Sequence, residues 1–112
     1  MSSVFNIEKL AINYQQGEDK RRPVVFVHGN SQNDTCGRGL MEYFVAKEHS
    51  FLSYDLPGHG DSPLETENYV WHDLVNLNQQ LLTYYNIKSP ILCGHSIGGM
   101  IQAATICQYD IN

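Results

Sequence analysis

Short apolar runs and longer periodic segments alternate along the chain. Residues 23–27 open on proline and continue as an apolar run rich in β-branched side chains, the pattern of a strand covered on both faces of a sheet. Residues 51–54 and 90–93 predict two further short strands. In residues 4–15 apolar and polar side chains alternate, which predicts one or two half-buried strands. The apolar runs therefore predict about five strands.

Three longer segments place apolar side chains every three or four residues, as one face of a helix does. They span residues 36–47, 69–85 and 97–109. Asp34 or Thr35 is available to cap the first of these helices. Together with the strands they give the order strand, strand, strand, helix, strand, helix, strand, helix.

This alternation predicts a single α/β domain with a mostly parallel sheet, right-handed crossovers and helices on both faces. The length of 112 residues suits one domain and no more. In sheets of this kind, ligands bind beyond the carboxyl ends of the strands. The loops richest in glycine, histidine, aspartate and serine all follow strands, so we expect the functional site at that end of the sheet.

The formal net charge of −5, with one short basic cluster at residues 20–22, argues against a nucleic-acid or membrane partner. A small-molecule substrate is the predicted partner. The start of the chain lacks the pattern of a signal peptide, and no segment has the apolar length of a membrane span, so a cytoplasmic location is expected.

Three cysteines without Cys-x-x-Cys spacing favour neither a disulfide framework nor a zinc site. A reducing compartment fits them best. We therefore predict no metal and no cofactor.

The strongest chemical signal is the segment Gly-His-Ser-Ile-Gly at residues 94–98, which follows a predicted strand and opens a predicted helix. In that context a Gly-x-Ser-x-Gly motif forms a sharp, strained turn that lifts the serine hydroxyl above the sheet. Side chains at Gly94 or Gly98 would collide with the neighbouring strand or helix. Ser96 is therefore the predicted nucleophile.

Two backbone amides are candidates to stabilise a developing negative oxygen beside Ser96. The N–H of Ile97 lies at a predicted helix N-terminus and points to where an oxyanion would form. The turn at residues 28–30, after another buried strand, is well placed to supply the N–H of Asn30, and Gly29 allows the backbone to approach closely.

Three landmarks occur in one order along the chain: "VVFVHGN" at 24–30, "YDLPGHGDS" at 54–62 and "GHSIGG" at 94–99. In this the chain resembles the N-terminal half of α/β-hydrolase-fold enzymes such as small serine esterases and proline iminopeptidases. The resemblance implies acyl transfer through Ser96 on a carboxylic ester, thioester or amide. It also assigns the oxyanion amides to Asn30 and Ile97.

The resemblance stops at the proton acceptor. In the superfamily, the catalytic acid and histidine follow the serine along the chain. After Ser96 the sequence contains Asp110 and no histidine. We therefore expect residues 1–112 to be the N-terminal part of a hydrolase domain, cut after the helix that follows the serine and nearly inactive alone.

Two alternatives stay open at this stage. The chain could be a non-catalytic fragment or interaction module, or it could belong to an acyltransferase that uses the same acyl-enzyme. The resemblance implies that the strand at 90–93 lies between the strand at 24–27 and a sixth strand, and residues 1–112 are not expected to supply that sixth strand. The strand at 90–93 would then form an exposed apolar edge that permits self-association.

The remaining candidate side chains have simpler interpretations. His28 and His59 flank the site, but neither position serves as general base in the superfamily. His95 is expected to pack under the serine turn. Cys93 is predicted to be a small core side chain. Trp71 and the tyrosines of its helix are predicted to be packing side chains and not a substrate platform.

Overall fold

The computed structural model describes residues 5–29, 37–58, 61–62, 64 and 68–109. Their strands are β1 (Ile12–Gln15), β2 (Val24–Val27), β3 (Phe51–Tyr54) and β4 (Ile91–Gly94). These form one sheet in the order β1-β3-β2-β4. The pairs β3·β2 and β2·β4 are parallel, and β1 pairs antiparallel with β3. The predicted α/β class with a mostly parallel sheet is confirmed.

The helices are α1 (Arg38–Ala46), α2 (Trp71–Tyr84) and α3 (Ile97–Tyr109). Each overlaps the periodic segment that predicts it. The cap candidates of α1, Asp34 and Thr35, lie outside the described residues, and Gly37 at its N-cap makes no side-chain cap.

The start of the described chain differs from the prediction. Ile7–Lys9 form a 3-10 turn, because the Asn6 side chain accepts a hydrogen bond from the Glu8 N–H at 3.0 Å and so stabilises a turn in place of an extended strand. The described part of the chain therefore has four strands where the pattern predicts about five.

Successive residues of β2 and β3 point to opposite faces of the sheet, as the pleat requires. One face packs against α2 and α3 and includes Val25, Val27, Leu52 and Tyr54, all with no exposed surface. The other face is smaller and packs against side chains of α1. The helices thus cover both faces, as predicted.

A chain of polar side chains runs through the larger core. The hydroxyl of Tyr54 donates to Asn78 Oδ1 at 2.9 Å. Asn78 Nδ2 donates to Gln102 Oε1 at 2.8 Å and to Thr105 Oγ1 at 3.0 Å. All four side chains are at most 4% exposed. Buried polar groups are tolerated where they are hydrogen-bonded, and this network connects β3, α2 and α3.

Replacing Asn78 by leucine removes the partner of the Tyr54 hydroxyl and of Gln102 Oε1. Leaving these buried groups unpaired is expected to lower the free energy of unfolding by about 2–4 kcal/mol. Urea unfolding followed by circular dichroism measures the loss. The matched control is Gln79→Leu on the same helix, where among the described residues the amide nitrogen donates to Thr83 at 3.3 Å and the buried amide oxygen has no partner, so no loss of stability is expected. Equal midpoints for the two variants would contradict the role of the network.

Candidate active site

Ser96 occupies the turn between β4 and α3, and its side chain is exposed. Its φ of +57° is in the left-handed region. A non-glycine residue in this region costs about 1–2 kcal/mol. Contacts with the surrounding structure must therefore offset this cost and hold the turn in place.

The glycines on either side of Ser96 sit against backbone. A Cβ atom on Gly98 would overlap the carbonyl oxygen of Val27, and one on Gly94 would overlap the backbone of Gly99. The start of α3 thus lies directly on the end of β2. Only glycine permits this approach, which is the steric requirement that the motif predicts.

Hydrogen bonds continue the sheet into the turn. The His95 N–H donates to Val27 O at 3.1 Å, which extends the β2·β4 pairing by one residue. The Gly98 N–H donates to His95 O at 3.0 Å, and the Met100 N–H donates to Ser96 O at 3.2 Å. The Ile97 N–H belongs to the first turn of α3, where an α-helix offers no intrahelical acceptor. The helix dipole adds partial positive charge at this position.

His28 connects the end of β2 to the loop after β3. It is fully buried, and its Nε2 accepts a hydrogen bond from the Leu56 N–H at 2.9 Å. Because Nε2 accepts, the ring proton lies on Nδ1, which donates to Gly29 O at 2.6 Å. Both ring nitrogens of His28 are thus used in backbone contacts. His28 therefore has a structural role and does not act as the acceptor of a proton from Ser96.

The loop after β3 is closed by Asp55, which is 2% exposed. Its Oδ2 accepts from the Asp61 N–H at 2.8 Å, and its carbonyl oxygen accepts from the Ser62 hydroxyl at 2.6 Å. The Ser62 oxygen in turn accepts from the Ala11 N–H at 2.8 Å. Asp55 therefore braces the loop.

Two candidate residues lie outside the described part of the chain. They are Asn30, the candidate second oxyanion donor, and His59. Gly29, immediately before Asn30, is buried at the end of β2. The structure therefore brings the candidates Ser96 and Ile97 beside the strand that leads to Asn30.

One expectation for a side chain next to Ser96 is wrong. His95 is exposed and does not pack beneath the serine turn, because Gly98 lies there against the end of β2. Trp71 is 41% exposed as the first residue of α2. Cys93 is half-buried, and burial raises the pKa of its thiol, which favours the neutral form expected of a packing side chain.

Within residues 5–29, 37–58, 61–62, 64 and 68–109, no group of three or more His, Cys, Asp or Glu side chains could hold a metal ion. In the same ranges no helix combines the length and apolar character needed to cross a bilayer. Asn78, Gln102 and Thr105 are buried polar residues of α2 and α3 that the sequence pattern does not single out.

Comparison with known proteins places this geometry in a family. The model of the alpha/beta hydrolase family matches residues 24–110, which is most of the chain. The chain therefore belongs to the α/β hydrolase family.

Two curated relatives illustrate the similarity. A probable serine hydrolase of Drosophila melanogaster is 33% identical over 89 residues, which cover 76% of this chain and 26% of that protein. Putative esterase/lipase 1 of Mycoplasma pneumoniae is 31% identical over 87 residues, which cover 77% of this chain and 32% of that protein. The chain thus matches between a quarter and a third of the length of these relatives.

Solved structures agree on the fold. An alpha/beta hydrolase fold protein from Burkholderia ambifaria superimposes with a TM-score of 0.78 at 27% identity, over 96% of this chain and 39% of that one. A bromoperoxidase from Bacillus anthracis gives 0.79 at 26% identity, over 92% and 37%. Both superpositions cover well under half of the solved chain.

Gly98→Ala tests the close approach of α3 to β2. The added methyl overlaps Val27 O, so the backbone must shift, and we expect the free energy of unfolding to fall by about 2 kcal/mol or more. The control is Gly39→Ala in α1, where an added Cβ meets no atom within 4 Å. That change is expected to be neutral or to stabilise by about 0.5–1 kcal/mol. Urea midpoints compare the two, and a Gly98→Ala protein as stable as Gly39→Ala would rule out the contact.

Proposed function

We propose that Ser96 is the nucleophile of a serine hydrolase that acts on a carboxylic ester, thioester or amide. The observation that carries this proposal is the exposed serine at φ +57° in the turn between β4 and α3. Nothing in an ordinary strand-to-helix connection requires a strained serine, and such strain is concentrated at functional sites. Membership of the alpha/beta hydrolase family supports the same interpretation.

In the proposed reaction, the Ser96 oxygen attacks the substrate carbonyl carbon and its proton passes to a base. The carbonyl electron pair moves onto oxygen, where the Ile97 N–H and the Asn30 N–H stabilise the negative charge. The tetrahedral species then expels the alcohol, thiol or amine, which takes up the proton. Water releases the acid from the resulting acyl-enzyme and restores the serine.

In this proposal the proton acceptor lies outside residues 1–112. Both ring nitrogens of His28 contact backbone groups, and no histidine follows Ser96. The relatives extend well beyond the matched region, so we propose that a catalytic histidine and acid belong to sequence of that kind. Losing the histidine of a triad costs about 10⁶-fold in turnover. The 112-residue chain by itself is therefore expected to be nearly inactive.

A fluorophosphonate probe tests the nucleophile in the gene product that carries this sequence at its full length. The phosphonyl group should attach to the Ser96 oxygen with loss of fluoride, and peptide mass spectrometry should locate it there. Ser96→Ala should abolish labelling and the turnover of p-nitrophenyl esters.

Ser89→Ala is the matched control, because Ser89 is also exposed and also has a positive φ, of +48°. The Ser89→Ala protein should react with the fluorophosphonate probe at the same rate as the unmodified protein. Full ester turnover by Ser96→Ala would refute the serine nucleophile and favour the non-catalytic interpretation of this segment.

A further inference from the structure

The buried polar chain of the core ends at the base of the serine turn. Gln102 Nε2 donates to Cys93 O at 2.9 Å and to Val25 O at 3.0 Å. Cys93 lies just before the turn, and Gln102 lies in α3 just after it. The first of these bonds therefore joins the two ends of the segment that contains Ser96. The second attaches the same side chain to β2.

The direction of this amide is determined by its partners. Gln102 Oε1 accepts from Asn78 Nδ2 at 2.8 Å, and Asn78 Oδ1 accepts from the Tyr54 hydroxyl at 2.9 Å. Tyr54 has no exposed surface, and burial raises its pKa, so its hydroxyl stays protonated and acts as donor. A flipped Gln102 amide would place its oxygen against two carbonyl oxygens. The donors therefore run in one direction, from Tyr54 to the backbone beside the turn.

Ser96 itself needs such support. Its backbone is in a conformation that an L-residue rarely adopts, and its side chain is exposed, so core packing of that side chain does not stabilise it. A strained turn of this kind persists when the structure around it allows no alternative. Gln102 supplies two hydrogen bonds between α3 and the strands on which the turn rests.

We propose that Gln102 is a positioning residue for Ser96, an inference that rests on the proposed serine hydrolase function. Its two bonds keep the start of α3 against β4 and β2, so that the Ile97 N–H and the Ser96 oxygen can contact the same carbonyl group of the substrate. A displacement of about 1 Å in a reacting group can reduce rate by about 100-fold. Loss of Gln102 should therefore slow bond formation at Ser96 and leave substrate binding nearly unchanged.

The test compares Gln102→Met with Gln108→Met in the full-length gene product. Methionine matches glutamine in length and removes the amide. Gln108 is exposed on the same helix, and its side chain forms a hydrogen bond with the exposed His72 at 3.1 Å. Fluorophosphonate labelling is measured over a range of probe concentrations without denaturant, which separates the maximal rate constant from the half-saturating concentration.

We expect Gln102→Met to lower the maximal labelling rate constant by about 10- to 100-fold, with the half-saturating concentration within about twofold of the unmodified protein. Gln108→Met should change neither value. Equal rate constants for Gln102→Met and the unmodified protein would overturn the positioning role. Absence of Ser96 labelling in the unmodified protein would instead overturn the serine hydrolase proposal.

A second variant separates positioning from stability alone. Gln102→Met leaves Asn78 Nδ2 without one acceptor, and Asn78→Leu alone would leave the buried Tyr54 hydroxyl unpaired, so Asn78→Leu and Tyr54→Phe are both combined with it to make these contacts apolar. The triple variant should recover part of the lost urea midpoint while its labelling rate constant stays low. Recovery of the rate constant together with the midpoint would show that Gln102 acts only on stability.

Hydrogen exchange gives a readout that does not depend on activity. The amides of Gly98 and Met100 bond to His95 O and Ser96 O within the turn. In Gln102→Met these two amides should exchange faster relative to the amides of β2 and β3. A uniform increase across the sheet, or no increase at the turn, would contradict the inference.

Discussion

The contact between the backbone of Gly98 and the carbonyl oxygen of Val27 sets the geometry at the carboxyl end of the sheet. It brings the start of α3 to the end of β2 without any intervening side chain. The Ile97 amide and the Ser96 hydroxyl then lie beside the strand that leads to Asn30. A single methyl group at Gly98 would separate these elements. The chemistry proposed for Ser96 therefore depends first on the absence of a side chain at Gly98.

The polar network beneath the turn adds a second condition. A buried amide is costly unless its donors and acceptors are paired, and those of Asn78 and Gln102 are paired with one another, with Tyr54 and Thr105, and with the strands. An apolar core of the same shape could be equally stable. The network also specifies how the helices sit on the sheet. One arrangement pairs every donor and acceptor of its side chains, and a shifted helix would leave some of them unpaired.

The described sheet has β4 at one edge, and Ile91, Leu92 and Cys93 on this strand are half-buried. On α3, Met100 is 63% exposed and Ile106 is 46% exposed. The curated relatives described above are matched over 26–32% of their length. An apolar edge strand favours pairing with any strand that reaches it. Self-association of the chain through the β4 edge therefore stays a prediction.

Local chemistry was enough to predict much of this structure. The apolar run of β2, the strand β3 and the periodic stripes of α2 and α3 depend on the repeat of side chains along one element, which is visible in the sequence. The serine turn was predicted in the same way, because glycine spacing and neighbouring elements are local features. The 3-10 turn at Ile7–Lys9 was missed because the Asn6 side chain competes with the extended backbone.

Tertiary structure alone decided which polar residues are buried and what they contact. Asn78 meets Gln102 across 24 positions of the chain, and Gln102 meets Val25 across 77. The apolar periodicity of one helix carries no information about hydrogen-bond partners this far away along the chain. The exposure of His95 was likewise decided by Gly98 lying against β2 under the turn. The sequence by itself thus determined the elements and the candidate nucleophile, whereas the support of that nucleophile arises only when distant segments pack and pair their polar groups.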